Sequence, residues 1–157
     1  MGYKTLEQCV DDLRKHGHLI TINDEVDAEL EAAEIHRRVF QSSGPAILFN
    51  NVKNCQFRMV SNLFGTLERA RFIFRDTLPI VKKLVSLKLD PSAALKRPWK
   101  HLKTPLHAMR MLPRKKRTGA VLEHQCSITD LPQLKSWPDD GGAFITLPQV
   151  YTHNPET

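Results

Sequence analysis

The apolar positions of this chain change period several times, and each change marks an element. Leu6, Val10 and Leu13 fall on one helical face behind Thr5 and Gln8, which have capping-box spacing, and Gly17 stands where that helix must stop. His18 to Ile22 then reads as a short strand. Asp27 is the predicted N-cap of a second helix with the buried stripe Ala28, Ala32, Ile35 and Val39. Its early Glu29 and Glu31 and late Arg37 and Arg38 complement the helix dipole, and Ser42-Ser43-Gly44-Pro45 ends it. Ala46 to Phe49 and Phe57 to Val60 are strand-like runs joined by a turn that includes Asn50, Asn51 and Asn54, so they pair as a hairpin. Gly65-Thr66 caps a helix carrying Leu67, Ala70 and Phe74. Thr77 with Pro79 opens another, carrying Ile80, Val81, Leu84 and Val85. This βαββα order predicts an α+β domain, an α/β-type unit of helices packed on a small sheet, over residues 1–89.

Beyond residue 89 the periodicity fades. The stretch from Asp90 to Arg117 holds Pro91, Pro98, Pro105 and Pro113, and its part from Lys96 to Arg117 carries nine Lys and Arg residues and no acid. Residues 90–118 therefore read as a basic, proline-containing linker with short helical pieces. Removing those nine from the 23 basic residues leaves 14 against 17 acids, so this one segment makes the chain basic. Ala120 to Ile128 is strand-like. Ala143 to Leu147 and Gln149 to Thr152 follow the Asp139-Asp140-Gly141-Gly142 turn, and His153 to Glu156 forms another turn, so a second, β-rich unit is expected over 119–157.

The 157 residues are 41% hydrophobic and 25% charged, the profile of a globular protein rather than a disordered or membrane one. No apolar run approaches a bilayer span, and Glu7, Asp11 and Asp12 occupy the region where a signal peptide needs apolar residues. The expected location is the cytoplasm. Cys9, Cys55 and Cys126 are scattered, with no C-x-x-C pair, which fits reduced thiols and neither a disulfide framework nor a zinc knuckle.

Candidate chemistry is sparse. His16 with His18, His101 with His107, and His124 with Cys126 are possible ligand pairs, but two ligands without a third make no zinc site, so no metal ligands are assigned. Asp139-Asp140 could act as paired carboxylates, although the following glycines make a turn the simpler reading. Ser61-Asn62-Leu63-Phe64-Gly65-Thr66 has one glycine and no GK[ST], so it reads as a turn and helix cap rather than a phosphate loop. The 96–117 segment offers an alternative function, a free-standing basic module that contacts nucleic acid or an acidic partner. It lacks an aromatic stacking platform, so nucleic acid is the weaker choice. No nucleophile-and-base arrangement can be read from residue order.

Three stretches together resemble the UbiD-type decarboxylases, the family of the polyprenyl-hydroxybenzoate carboxy-lyases. They are EVDAELEAAEIHRRV (Glu25 to Val39), GPAILFNNVKN with MVSNLFGTLERA (within Gly44 to Ala70), and ITDLPQLKSWPDDGGAFITLPQVYT (Ile128 to Thr152). The resemblance implies an α/β N-terminal domain, the first strands of an incomplete split β-barrel from about Gly119, and in longer members a C-terminal domain for homo-oligomerisation. It implies non-oxidative decarboxylation of aromatic or α,β-unsaturated acids on prenylated FMN, with a divalent metal such as manganese and potassium. By that resemblance the first metal-binding Asn and the flavin-phosphate contacts lie on the strand after the His153 to Glu156 turn, and the catalytic Arg and Glu residues lie later. No catalytic residue is therefore carried over to this chain, and it is expected to be an inactive N-terminal fragment whose partner is the rest of the enzyme. Thr146, on the Phe144 to Leu147 strand, is the one residue the resemblance would place near the flavin.

Overall fold

A computed structural model describes residues 2–90 and 125–145, together with residues 106, 109, 112, 118, 119 and 123. Helix α1 spans Leu6–Lys15, and its N-cap Thr5 hydroxyl accepts the Gln8 N–H at 3.2 Å. The Gln8 amide oxygen reaches back one residue further than a reciprocal cap would, accepting from the Lys4 N–H at 3.0 Å. Gly17 (φ 73°) lets the chain reverse in the left-handed region at little steric cost. Strand β1, Leu19–Val26, is longer than the predicted His18 to Ile22 run.

Helix α2 occupies Glu31–Gln41, and its N-cap, Leu30, stands three residues later than the predicted cap at Asp27. Asp27 does not cap it. The Asp27 carboxylate instead accepts the Glu29 N–H at 2.9 Å and pairs with Lys53 at 2.8 Å, closing a turn that ends at Leu30. Leu30 sits at φ 66°, which breaks helical geometry, so the helix can begin only at the next residue.

Strands β2 (Ala46–Val52) and β3 (Met59–Ser61) complete a three-stranded sheet of order β1-β2-β3, with β1 parallel and β3 antiparallel to β2. The expected hairpin is present. The parallel β1–β2 pair, joined through α2, explains why the Ala46 to Phe49 run is apolar without alternation: the central strand is covered on both faces. Ala46 and Leu48 point to one cluster with Cys9, Val10 and Leu13 of α1 and Ile73 of helix α3 (Leu67–Ile73). Ile47 and Phe49 point to the other, against Ala32, Ile35 and Val39 of α2. Phe49, Leu13 and Ile47 are the largest fully buried side chains, and truncating any of them to Ala should cost about 2–5 kcal/mol. Helix α4, Leu78–Leu89, opens with Pro79 in its first turn as expected but contains no buried residue.

The 125–145 stretch departs from expectation. Ile128 belongs to a 3-10 turn, Ile128–Asp130, and residues 125–127 form no strand, so the predicted Ala120 to Ile128 strand is not formed there. The cause is local: the Ser127 hydroxyl accepts the Thr129 N–H and the Asp130 carboxylate accepts the Ser127 N–H at 2.9 Å. This reciprocal cap competes with extended backbone. Ala143 to Ile145 are likewise irregular, although the Phe144 N–H reaches the Leu134 carbonyl at 2.8 Å. Residues 146–157, with the other predicted strand, lie outside the described residues, as do Ala120 to Leu122.

Residues 128–135 fold back on the helical domain. Glu29 and Lys135 form a parallel bridge in which Leu30 N–H donates to the Lys135 carbonyl at 2.9 Å and Lys135 N–H to the Ala28 carbonyl at 3.2 Å. Leu134 packs on the Ile47–Phe49 cluster, and the Cys55 thiol donates to the Asp130 carbonyl at 3.2 Å. No helix among the described residues is long and apolar enough to cross a membrane.

Candidate functional site

Two polar side chains among the described residues are buried, and both belong to the Ser61-to-Arg69 stretch. Arg69 is 3% exposed and Asn62 is 6% exposed. The Arg69 guanidinium donates through Nε to the Leu63 carbonyl (3.0 Å), through Nη1 to the Gly44 carbonyl (3.0 Å) and through Nη2 to the Asn62 carbonyl (2.6 Å). Burial lowers its pKa from the usual arginine value, yet an arginine stays protonated in proteins, so the charge is held by carbonyl dipoles. Asn62 takes φ 57° and its Nδ2 donates to the Pro45 carbonyl at 2.9 Å, while its buried Oδ1 has no protein partner. Gly65 makes this possible: a Cβ there would stand 1.8 Å from that Oδ1. With the Thr66 hydroxyl capping α3 through the Arg69 N–H, the stretch is a turn and helix cap, as its single glycine predicted. Its guanidinium is committed to the backbone, so it ties the start of β2 to the β3–α3 turn rather than gripping an anion.

A second polar cluster lines a cleft of about 320 Å³ between the N-terminal segment and the α1 and α3 helices. Tyr3 Oη donates to Asp12 Oδ2 at 2.5 Å, and Arg75 donates to the same oxygen at 2.6 Å and to Tyr3 Oη at 2.8 Å. The Tyr3 hydrogen bond, with help from Arg75, holds the Asp12 carboxyl below the usual carboxylate range. Burial, followed by the bond to Asp12, raises Tyr3. The Arg75 guanidinium also lies 4.1 Å from the Phe72 ring centroid.

The structure also joins residues that their order in the chain does not. His36 Nδ1 of α2 and Ser61 Oγ of β3 are 2.6 Å apart, with Phe40 stacked on the imidazole. Only the pairing of β3 to the sheet over which α2 packs brings them together, and no local sequence signal marks it. A serine–imidazole pair needs a third orienting group for nucleophilic catalysis, and among the described residues no carboxylate hydrogen-bonds this ring.

The histidine and carboxylate candidates divide similarly. His16 and His18 both pack against the Phe72 ring, at 5.0 and 4.7 Å. Asp140 accepts the Ser136 and Trp137 N–H groups, so Asp139-Asp140 is the predicted turn. Cys126 is exposed. His101, His107, His124 and Thr146 lie outside the described residues, as does almost all of the 96–117 segment. Among the described residues, no group of three or more His, Cys, Asp or Glu could hold a metal. Nor is the cleft built for a flavin phosphate: Asp11, Asp12 and Asp76 line it beside Lys15 and Arg75, and the Arg75 guanidinium is bonded to Asp12 and Tyr3.

This α+β unit, with Asn62 and Arg69 buried at its SNLFGT turn, belongs to the 3-octaprenyl-4-hydroxybenzoate carboxy-lyase family, the UbiD family. Residues 10–88 match the family's N-terminal domain and residues 112–157 match its Rift-related domain. An uncharacterized protein of Chlamydia trachomatis serovar D is 41% identical over 157 residues, covering 97% of this chain and 27% of that protein. A 4-hydroxybenzoate decarboxylase subunit from Chlamydia pneumoniae is 38% identical over 146 residues, covering 90% and 25%. The chain thus spans about a quarter of the length of these relatives. Among solved structures, the open form of the Sedimentibacter hydroxybenzoicus vanillic acid decarboxylase is similar at 26% identity. That match has a TM-score of 0.43 and covers 46% of this chain and 16% of that one.

Proposed function

We propose that these residues supply the N-terminal scaffold and the opening part of the Rift-related domain of a non-oxidative decarboxylase, one that acts on aromatic or α,β-unsaturated carboxylic acids in the cytoplasm. The observation that carries this reading is the presence of both family domains, in family order, on one chain. In it residues 1–89 form the α/β domain, 90–118 the linker and 119–157 the start of a split barrel. Prenylated FMN, with manganese and potassium, would supply the electron sink for loss of carbon dioxide. Thr146 would stand near the flavin. The described residues make no cradle for that group, so their part is positional: they hold the following domain and, with the remaining polypeptide, a homo-oligomer. Alone, the 157 residues neither bind the flavin nor decarboxylate.

The experiment is a titration of the purified 157-residue protein with prenylated FMN and manganese, followed by absorbance and by carbon dioxide release from a panel of aromatic and cinnamate-type acids. Neither signal is expected. Saturable flavin binding or turnover would overturn the scaffold reading.

A further inference from the structure

Helix α4 carries apolar side chains around most of its circumference. Ile80, Leu84 and Leu87 are half-buried, while Val81, Val85 and Leu89 point outward, Leu89 being 81% exposed. With Leu78 these form a stripe at i, i+3, i+7 and i+11. The stripe continues into Phe74, whose carbonyl accepts the Leu78 N–H and whose ring stacks on exposed Phe64 at 6.0 Å. A helix that is apolar on two sides belongs between two partners, and the described residues provide one.

The charges on α4 indicate which partner. It carries Lys82, Lys83 and Lys88 and no acid, on a chain of net charge +6. A second copy laid on this stripe would bring like charges together. A surface of apolar side chains rimmed by acids would not. The stripe also lies on the last helix of the family's N-terminal domain, which the match ends at residue 88, and the relatives carry about three times as much further chain as this one spans.

We propose that the apolar face formed by Val81, Val85 and Leu89 of α4 with the neighbouring Phe64 and Phe74 is the seat for an acid-rimmed apolar surface in the downstream part of the family's longer polypeptide. The inference rests on family membership and not on the decarboxylation chemistry, so a failed activity assay leaves it standing. The test places V81D/V85D in two proteins: the 157-residue chain, and a graft in which this chain replaces the matched N-terminal quarter of the Chlamydia pneumoniae relative. In the short chain both positions face water, so its Tm should move by less than about 2 °C. In the graft Tm should fall by more than about 5 °C, and K82E/K88E should lower it more in low salt than in high salt. Equal shifts in both proteins, or none in the graft, would overturn the proposal. So would a dimer of the short chain, seen by sedimentation, that V81D/V85D dissolves, because the occupant would then be a second copy. If the graft does not fold, co-purification of the short chain with the relative's polypeptide lacking its matched quarter decides. A complex lost in V81D/V85D supports the seat, and no complex overturns it.

Discussion

The Leu30 amide donates to the Lys135 carbonyl across 2.9 Å, and this bond explains where α2 begins. Leucine at φ 66° costs about 1–2 kcal/mol, so the conformation persists because its surroundings impose it. Those surroundings are the Glu29–Lys135 bridge and Leu134 packed on the second core cluster. A segment from the second family match thereby finishes a helix of the first.

Lys135→Pro removes the N–H that serves the Ala28 carbonyl, and Leu134→Ala thins the packing beside it. Each should cost about 1–2 kcal/mol by denaturant titration. Both should speed hydrogen exchange at the Leu30 amide far more than in β2. Unchanged Leu30 protection in Lys135→Pro would show that the bridge does not hold the turn.

Arg69 is irreplaceable by lysine if its three carbonyl bonds are what matter. An ammonium cannot reach Leu63, Gly44 and Asn62 together as the planar guanidinium does. Arg69→Lys and Arg69→Met should both destabilise by about 2–4 kcal/mol. A lysine variant as stable as the parent would remove the argument.

Gly65→Ala forces a methyl into Asn62 Oδ1, so a loss of more than about 2 kcal/mol is expected. Asn62→Gly clears the clash and tolerates the positive φ at 62, although it forfeits the bond to Pro45. The double variant should therefore lose less than the two single losses combined. Strict additivity in the double-mutant cycle would contradict a direct contact.

Acid should weaken the Tyr3–Asp12–Arg75 cluster in a defined interval. The Asp12 carboxyl lies below its ordinary value of 3.8, chiefly through the Tyr3 hydrogen bond, so near pH 4 the native state binds fewer protons than the unfolded chain. Its contribution is complete above that ordinary value and disappears as pH falls through the lower folded-state value. Asp12→Asn should cost about 2 kcal/mol at neutral pH and flatten the fall of Tm between about pH 5 and pH 2. An identical pH profile in the variant would assign the acid sensitivity elsewhere. Glu34 is one such place, pulled down to about 2 by its bonds to Arg37 and Arg38.

How much of this was legible in the residues follows from the range of each interaction. The α1 cap at Thr5, the stop at Gly17, the β2–β3 hairpin, the Thr66 cap and the Pro79 start of α4 are set by neighbours within a few positions, and the sequence alone determined them. Family membership was legible for a related reason, because the SNLFGT turn and the Ile128 to Thr152 stretch stand intact in the order of residues. Tertiary structure alone decided the rest. Asp27 has the chemistry of an N-cap but lost that role when Leu30 was drawn to Lys135, and His36 met Ser61 only because α2 lies over the sheet edge. Nothing in the order of residues sets Arg69 apart from the other basic side chains, yet it is a buried clasp, since burial depends on what the remainder of the chain lays over a residue and no local pattern encodes that.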